Sequence, residues 1–279
     1  MTFNTTLTIA RLTVRETQRR RVLWVALLMG LLFLIVFGLG FHFIYVDVTR
    51  YLSPQEARVP FLFFSLAGLY ATNFLMVMMA VLISVAAVSG EIDSHTIETL
   101  LTKPIRRWEV IMGKWIGFAF LILLYLLLLS GGIILIVYLR AGFVTHNIVL
   151  GLALMYLEAL VVLTISIAGG TRLSTLANGA MAFMLYGLAF VGGWVEQIGA
   201  ILRNETAVDI GILASLIMPG EVLWKKASSL FQPQTLLGDD FAGPFVVASQ
   251  PSNAMIVYAV LYVLVLLALA LWSFARRDL

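Results

Sequence analysis

Residues 116–139 read IGFAFLILLYLLLLSGGIILIVYL, without one charged side chain. A helix rises about 1.5 Å per residue, so about 20 apolar residues cross the ~30 Å hydrocarbon core of a bilayer. The run does not alternate as a barrel strand would. Backbone in lipid must satisfy its own hydrogen bonds, so this stretch is a membrane-spanning helix. Five further stretches qualify, at 22–46, 67–89, 148–170, 178–199 and 254–275. The expected fold is an all-α membrane protein with six spans.

Composition agrees. Of 279 residues, 61% are apolar and 12% are charged, and the mean hydropathy is +1.01. A soluble domain carries about twice that share of charge, so a water-soluble globule is excluded. The net charge of +3 sits beside apolar runs and does not point to nucleic acid. The absence of cysteine excludes disulfides, thiol nucleophiles and thiolate metal sites. With the N-terminus inside, the inner segments hold 12 lysines and arginines and the outer ones 6. The positive-inside rule then places both termini in the cytoplasm.

Residues 1–21 are not a signal peptide, because the apolar run behind them is too long and no small-x-small cleavage site follows. They read as a surface helix with Phe3, Leu7, Ala10 and Val14 on one face. Ile9 and Leu12 fall off that face. The plainer alternative is a basic topology anchor. The two halves of the chain do not resemble each other, which weakens an inverted-repeat secondary transporter. The chain reads as one membrane domain over 1–279.

Motifs for catalysis are missing. No phosphate-binding G-x-x-x-x-G-K-[ST] occurs, and Gly113-Lys114 is followed by Trp115. His42, His95 and His146 fall on opposite sides of the membrane and cannot share a metal. No G-x-S-x-G or H-E-x-x-H appears.

Immediately before the quoted span, residues 90–115 read GEIDSHTIETLLTKPIRRWEVIMGKW. Asp93 or Ser94 can cap a short helix. Ile97, Leu100 and Leu101 give it an apolar side, and Glu91 and Glu98 an acidic one. Pro104 ends it. Arg106 and Arg107 then reach headgroup level, and Trp108 and Trp115 suit the interface. Gly113 and Gly117 have the small-xxx-small spacing that lets a helix approach closely. A short charged helix on a tight tether can pass force from a soluble partner into the membrane. The bland alternative is an ordinary interfacial loop.

This stretch resembles the signature of the ABC-2 type permease family. Gly90-Glu91, Ser94-x-Thr96, Leu100-Leu101, Pro104, Arg107-Trp108-Glu109 and Gly113-Lys114 all match, while His95 stands where glycine is common. Residues 216–224, LIMPGEVLW, and the overall plan of six spans also resemble these permeases. Within the family, the likeness leans to permeases of multicopper-enzyme maturation. The resemblance implies a type V exporter-like transmembrane domain in a prokaryotic cell (inner) membrane. Two permease subunits pair, as homodimer or heterodimer, and separate cytoplasmic ABC ATPases bind the ATP and Mg; no cofactor is implied for this chain. It also implies that 91–112 is the coupling segment, carried by Glu91, Ser94, Thr96, Ile97, Glu98, Leu100, Leu101, Pro104 and Arg107. Arg172, in the inner loop 171–177, becomes a minor contact, and 1–21 the connecting helix. The importer-type Glu-Ala-Ala signature is missing, which favours export. The other classes weighed are an ATP-independent secondary transporter or channel, and a membrane scaffold.

Glu158 lies one residue from the centre of the fourth span. A charge there costs at least ~2.5 kcal/mol, and no lysine or arginine lies mid-span to offset it. Candidate partners are Asn73, Ser84, Tyr125, Ser130 and Thr164. The functional reading places Glu158 and Asn73 on the substrate pathway or the dimer seam. The structural reading is an interhelical hydrogen bond. Residues 200–253 form a long outer segment. Its apolar part, 207–218, is short for a span and reads as a surface or re-entrant helix. Pro219 is expected to open a second helix at its first position. Val222, Leu223, Ala227 and Leu230 would face apolar surroundings, with Lys225 and Lys226 in water and Pro233 ending the helix.

Overall fold

The computed structural model describes residues 2–90, 106–232 and 251–276, with side chains from residue 5. Among these residues every element is a helix. In order they are α1 (Thr2–Arg19), α2 (Arg21–Tyr51), α3 (Arg58–Ser84), α4 (Arg107–Ala141), α5 (Ile148–Gly170), α6 (Thr175–Leu202), α7 (Glu205–Ile217), α8 (Glu221–Phe231) and α9 (Asn253–Ala275). Six of them, α2 to α6 and α9, are long and apolar enough to cross a membrane. All six expected spans are therefore present. Most run past the expected ends, because helix continues beyond the hydrocarbon until a breaker intervenes. At the end of α4 the breaker is Gly142, in the left-handed region at φ 59°. At its start Glu109 accepts the Arg106 backbone N–H at 3.0 Å, closing the first turn.

α5 is the centre of the bundle and packs against α3, α4, α6, α8 and α9. α2 lies at the edge and buries only Leu23, Gly30 and Phe41. Apolar burial gives no hydrophobic gain against lipid tails, so packing contacts and interhelical hydrogen bonds hold such a bundle.

The second span ends earlier than expected. α3 stops at Ser84, and residues 85–88 form turns and bends before helix resumes at Ser89. A break at this depth frees carbonyls that must be satisfied inside the protein. Val85 O accepts from Asn178 Nδ2 at 3.0 Å and from Ser89 Oγ at 2.9 Å. Ala87 O accepts from the buried Lys114 ammonium at 2.7 Å.

The lead-in also differs from expectation. α1 buries Thr6, Ala10, Thr13 and Thr17, while Leu7 is 47% exposed. Its docking face is the small, threonine-rich stripe, because the partner is the start of α4 with Gly113 and Gly117. A Cβ on Gly113 would stand 2.6 Å from Ile9, and one on Gly117 would stand 2.8 Å from Ala10 O. The helix approach expected at these glycines is made by α1, and Ile9 belongs to the contact.

α7 and α8 form a re-entrant hairpin. α7 runs back along α6 from Asn204, with Gly211 against Glu196 and Ala214 against Gly192. The chain then bends by 108°. Met218 is extended, as a residue before proline must be. Pro219 lies in the bend rather than in the helix, and α8 begins at Glu221 behind Gly220. α8 returns toward the start of α5, where the His146 N–H meets Phe231 O at 3.3 Å. At about 1.5 Å per residue, neither arm is long enough to cross. The last carbonyls of α7 are taken by the phenols of α9, Tyr258 on Leu216 O and Tyr262 on Ile217 O.

Candidate functional site

Two regions bring the chemistry-bearing residues together. The first is the arginine-rich end of the bundle, where the close of α3, the start of α4, helix α1 and the end of α9 meet. Arg107 donates from Nη1 to Ala275 O at 3.3 Å. Arg172 donates from Nε to Ser273 Oγ at 2.8 Å, and Thr171 Oγ1 donates to the same hydroxyl at 3.0 Å. Two residues expected in separate coupling contacts thus grip one helix end. Cations suit that place, because the last carbonyls of a helix carry partial negative charge. Glu91, Ser94, Thr96, Ile97, Glu98, Leu100, Leu101 and Pro104 lie outside the described residues. So do residues 233–250, Pro233 among them.

The second region is a polar cluster in the middle of the bundle. Asn73 on α3 donates from Nδ2 to Glu158 Oε2 on α5 at 2.9 Å. Glu158 is 0% exposed and Asn73 2%. Asn73 is thereby the partner among the five candidates. The others bond elsewhere: Ser84 to Ala80 O, Tyr125 to Ala26 O, Ser130 to Leu126 O and Thr164 to Leu160 O. Glu158 lies inside this chain, beneath the hairpin bend, where a Cβ on Gly220 would stand 3.7 Å from Oε1. Glu158 Oε1 and Asn73 Oδ1 accept no hydrogen bond. The Glu158 oxygen is the one that faces the bend.

Beside this pair stands a second one. Lys225 Nζ lies 2.9 Å from Glu196 Oε2, with both side chains about 5% exposed. The expectation that Lys225 reaches water is corrected: α8 turns this face inward against α6. Lys226 instead donates to Pro251 O at 2.9 Å. Glu221, one turn before Lys225, is also buried, and its side chain fills the space beside Gly193. Tyr70 packs on Trp224 at 5.2 Å and accepts from Trp194 Nε1 at 3.3 Å. Three carboxyls and one ammonium therefore share the space between α3, α5, α6 and α8. The sequence held one signal for this, the i, i+4 spacing of Glu221 and Lys225. That spacing alone does not decide burial, because a long side chain on a short outer helix is equally able to reach water.

Among the described residues no group of three or more His, Asp or Glu could hold a metal. What the arrangement does is mechanical. The cluster joins the re-entrant hairpin to the spans, and the arginine-rich end ties α9 to the start of α4 and to the loop after α5.

No curated protein matches the chain. A family model described as "ABC-2 family transporter protein" matches residues 7–279. That match covers nearly the whole chain, including most of the lead-in, all six spans and the hairpin. The chain belongs to the ABC-2 transporter family, as the multi-pass, non-catalytic permease subunit of an ABC transporter.

Proposed function

We propose that the chain is one of two permease subunits of an exporter, driven by a separate cytoplasmic ABC ATPase. The family match over residues 7–279 carries this reading. The arginine-rich end supports it, because an interfacial helix, two span ends and the close of α9 converge beside the segment that reads as the coupling helix. The missing importer-type signature favours export. The residues assigned to coupling are Glu91, Ser94, Thr96, Ile97, Glu98, Leu100, Leu101, Pro104, Arg107 and Arg172. Glu158 and Asn73 act at the hairpin bend, where a movement of α8 is felt by α3 and α5.

The test is recovery of a cognate ATPase with the solubilised chain. Leucines filling a groove at an interface cost about 2 kcal/mol or more when truncated, whereas an exposed charge costs less. Leu100→Ala with Leu101→Ala is expected to lower ATPase recovery more than Glu98→Ala, with Glu91→Ala between them. Full recovery by the double leucine variant would move the contact to the basic lead-in around Arg11 to Arg20. ATP hydrolysis by the purified chain alone would overturn the reading.

A further inference from the structure

A cleft of about 580 Å³ opens on the lateral surface behind the elbow between α1 and α2. Its walls are Leu23, Trp24 and Leu27 of α2 with Leu121 and Leu124 of α4, and Met79 forms part of the floor. It falls within the size range of small-molecule sites. Away from the elbow the lining passes to Tyr125 and Leu128 of α4. There Tyr125 donates its hydroxyl to Ala26 O at 3.0 Å, and Gly30 is packed against Leu129.

The mouth has a different chemistry. Gln18 lines it, and Trp24 donates its indole N–H to Gln18 O at 2.9 Å. Arg19 and Arg21 are exposed on either side of the elbow, while Arg20 is paired with Glu16. No acidic residue lies in the first turn of α2, and its N-cap has no side-chain hydrogen bond. An apolar slot thus opens beside fixed positive charge, at the depth where tryptophan and arginine mark the lipid headgroups.

We propose that this cleft is a resident site for one anionic phospholipid, with an acyl chain between α2 and α4 and the phosphate at Arg19 and Arg21. A zwitterionic lipid would bring its own ammonium beside the arginines, and a water-soluble anion would leave the apolar slot empty. The site is independent of the ATPase reading. Its consequence is that the setting of α1 against α2 depends on membrane composition.

The test reconstitutes the full chain in phosphatidylcholine vesicles containing phosphatidylglycerol. The chain is then extracted in mild detergent, and retained lipid is counted by native mass spectrometry. The parent is expected to retain phosphatidylglycerol over phosphatidylcholine. Arg19→Gln with Arg21→Gln should reduce that preference by about tenfold. Leu121→Trp, which fills the slot, should abolish retention. Leu135→Trp, exposed elsewhere on α4, should retain lipid as the parent does. Should Leu121→Trp prove unfolded by gel filtration, Leu124→Trp at the exposed rim replaces it. Equal retention by the filled variants and the parent would overturn the site. So would a loss of dimer mass in the filled variants with lipid unchanged, since the cleft would then seat a second copy. Equal losses of both lipids in the arginine variant would overturn the headgroup assignment.

Discussion

Lys225 on α8 reaches Glu196 on α6 at 2.9 Å, inside the protein and within a turn of Glu221. This pair ties the returning arm of the re-entrant hairpin to α6. Its partners come from elements on either side of α7, so the hairpin cannot slide along α6 without separating two buried charges.

Removing one member is therefore worse than removing both. Breaking a buried ion pair typically costs about 3–5 kcal/mol, because the remaining charge is stranded. Glu196→Leu or Lys225→Met alone should lower thermal stability in detergent substantially, and the double variant should recover most of the loss. Additive losses in the double variant would show that the pair is not coupled.

The Asn73–Glu158 bond separates two roles. Glu158→Gln keeps an oxygen to accept the Asn73 amide and should cost at most about 1 kcal/mol of stability. Glu158→Leu leaves that amide buried without an acceptor and should cost about 1–3 kcal/mol, read as lower yield and melting temperature. If Glu158→Gln is stable yet alters transport, the carboxyl itself serves the substrate pathway. If both variants behave as the parent, Glu158 has no special part.

α1 is held by backbone approach rather than by side-chain anchors. Gly117→Val would push into Ala10 O, which cannot move aside as a side chain can. We expect α1 to detach and trypsin to cut at Arg11, Arg15 and Arg19 several-fold faster, with membrane insertion retained. Gly131→Ala on the same helix has open space around it and should cleave at the parent rate. Unchanged cleavage in Gly117→Val would mean that α1 is held elsewhere.

The break after α3 is kept by two donors from other helices. Lys114→Met removes the donor to Ala87 O, and Asn178→Leu removes the donor to Val85 O. An unsatisfied buried carbonyl costs about 1–3 kcal/mol, so amide exchange around residues 85–90 should quicken by about tenfold or more in Lys114→Met, and by less in Asn178→Leu, where Val85 O keeps the Ser89 hydroxyl. The exchange of central α5 should not change. Parent-like exchange at 85–90 in both variants would refute the role of these donors.

The sequence determined the spans, because crossing lipid imposes a length and an apolarity that each segment must meet by itself. α5 begins and ends where its hydropathy does. The sequence also marked Glu158 as exceptional and Gly113 and Gly117 as a contact face, since a charge in lipid and paired small residues stand out locally. It did not determine their partners. Asn73, Ser84, Tyr125, Ser130 and Thr164 were equally able to bond Glu158, and only the placement of α3 against α5 chose Asn73. The docking face of α1 is not legible from hydropathy, which favours Leu7, whereas α4 offers glycines that fit threonines. The burial of Lys225 is not legible either, because a helix of 11 residues has no fixed outside until it is packed. The end of α3 at Ser84 was hidden for the same reason: its carbonyls are satisfied by Lys114 and Asn178, which are distant in sequence. Lipid acts on each segment alone and so leaves its mark in sequence, while close packing acts between segments and is settled only when they meet.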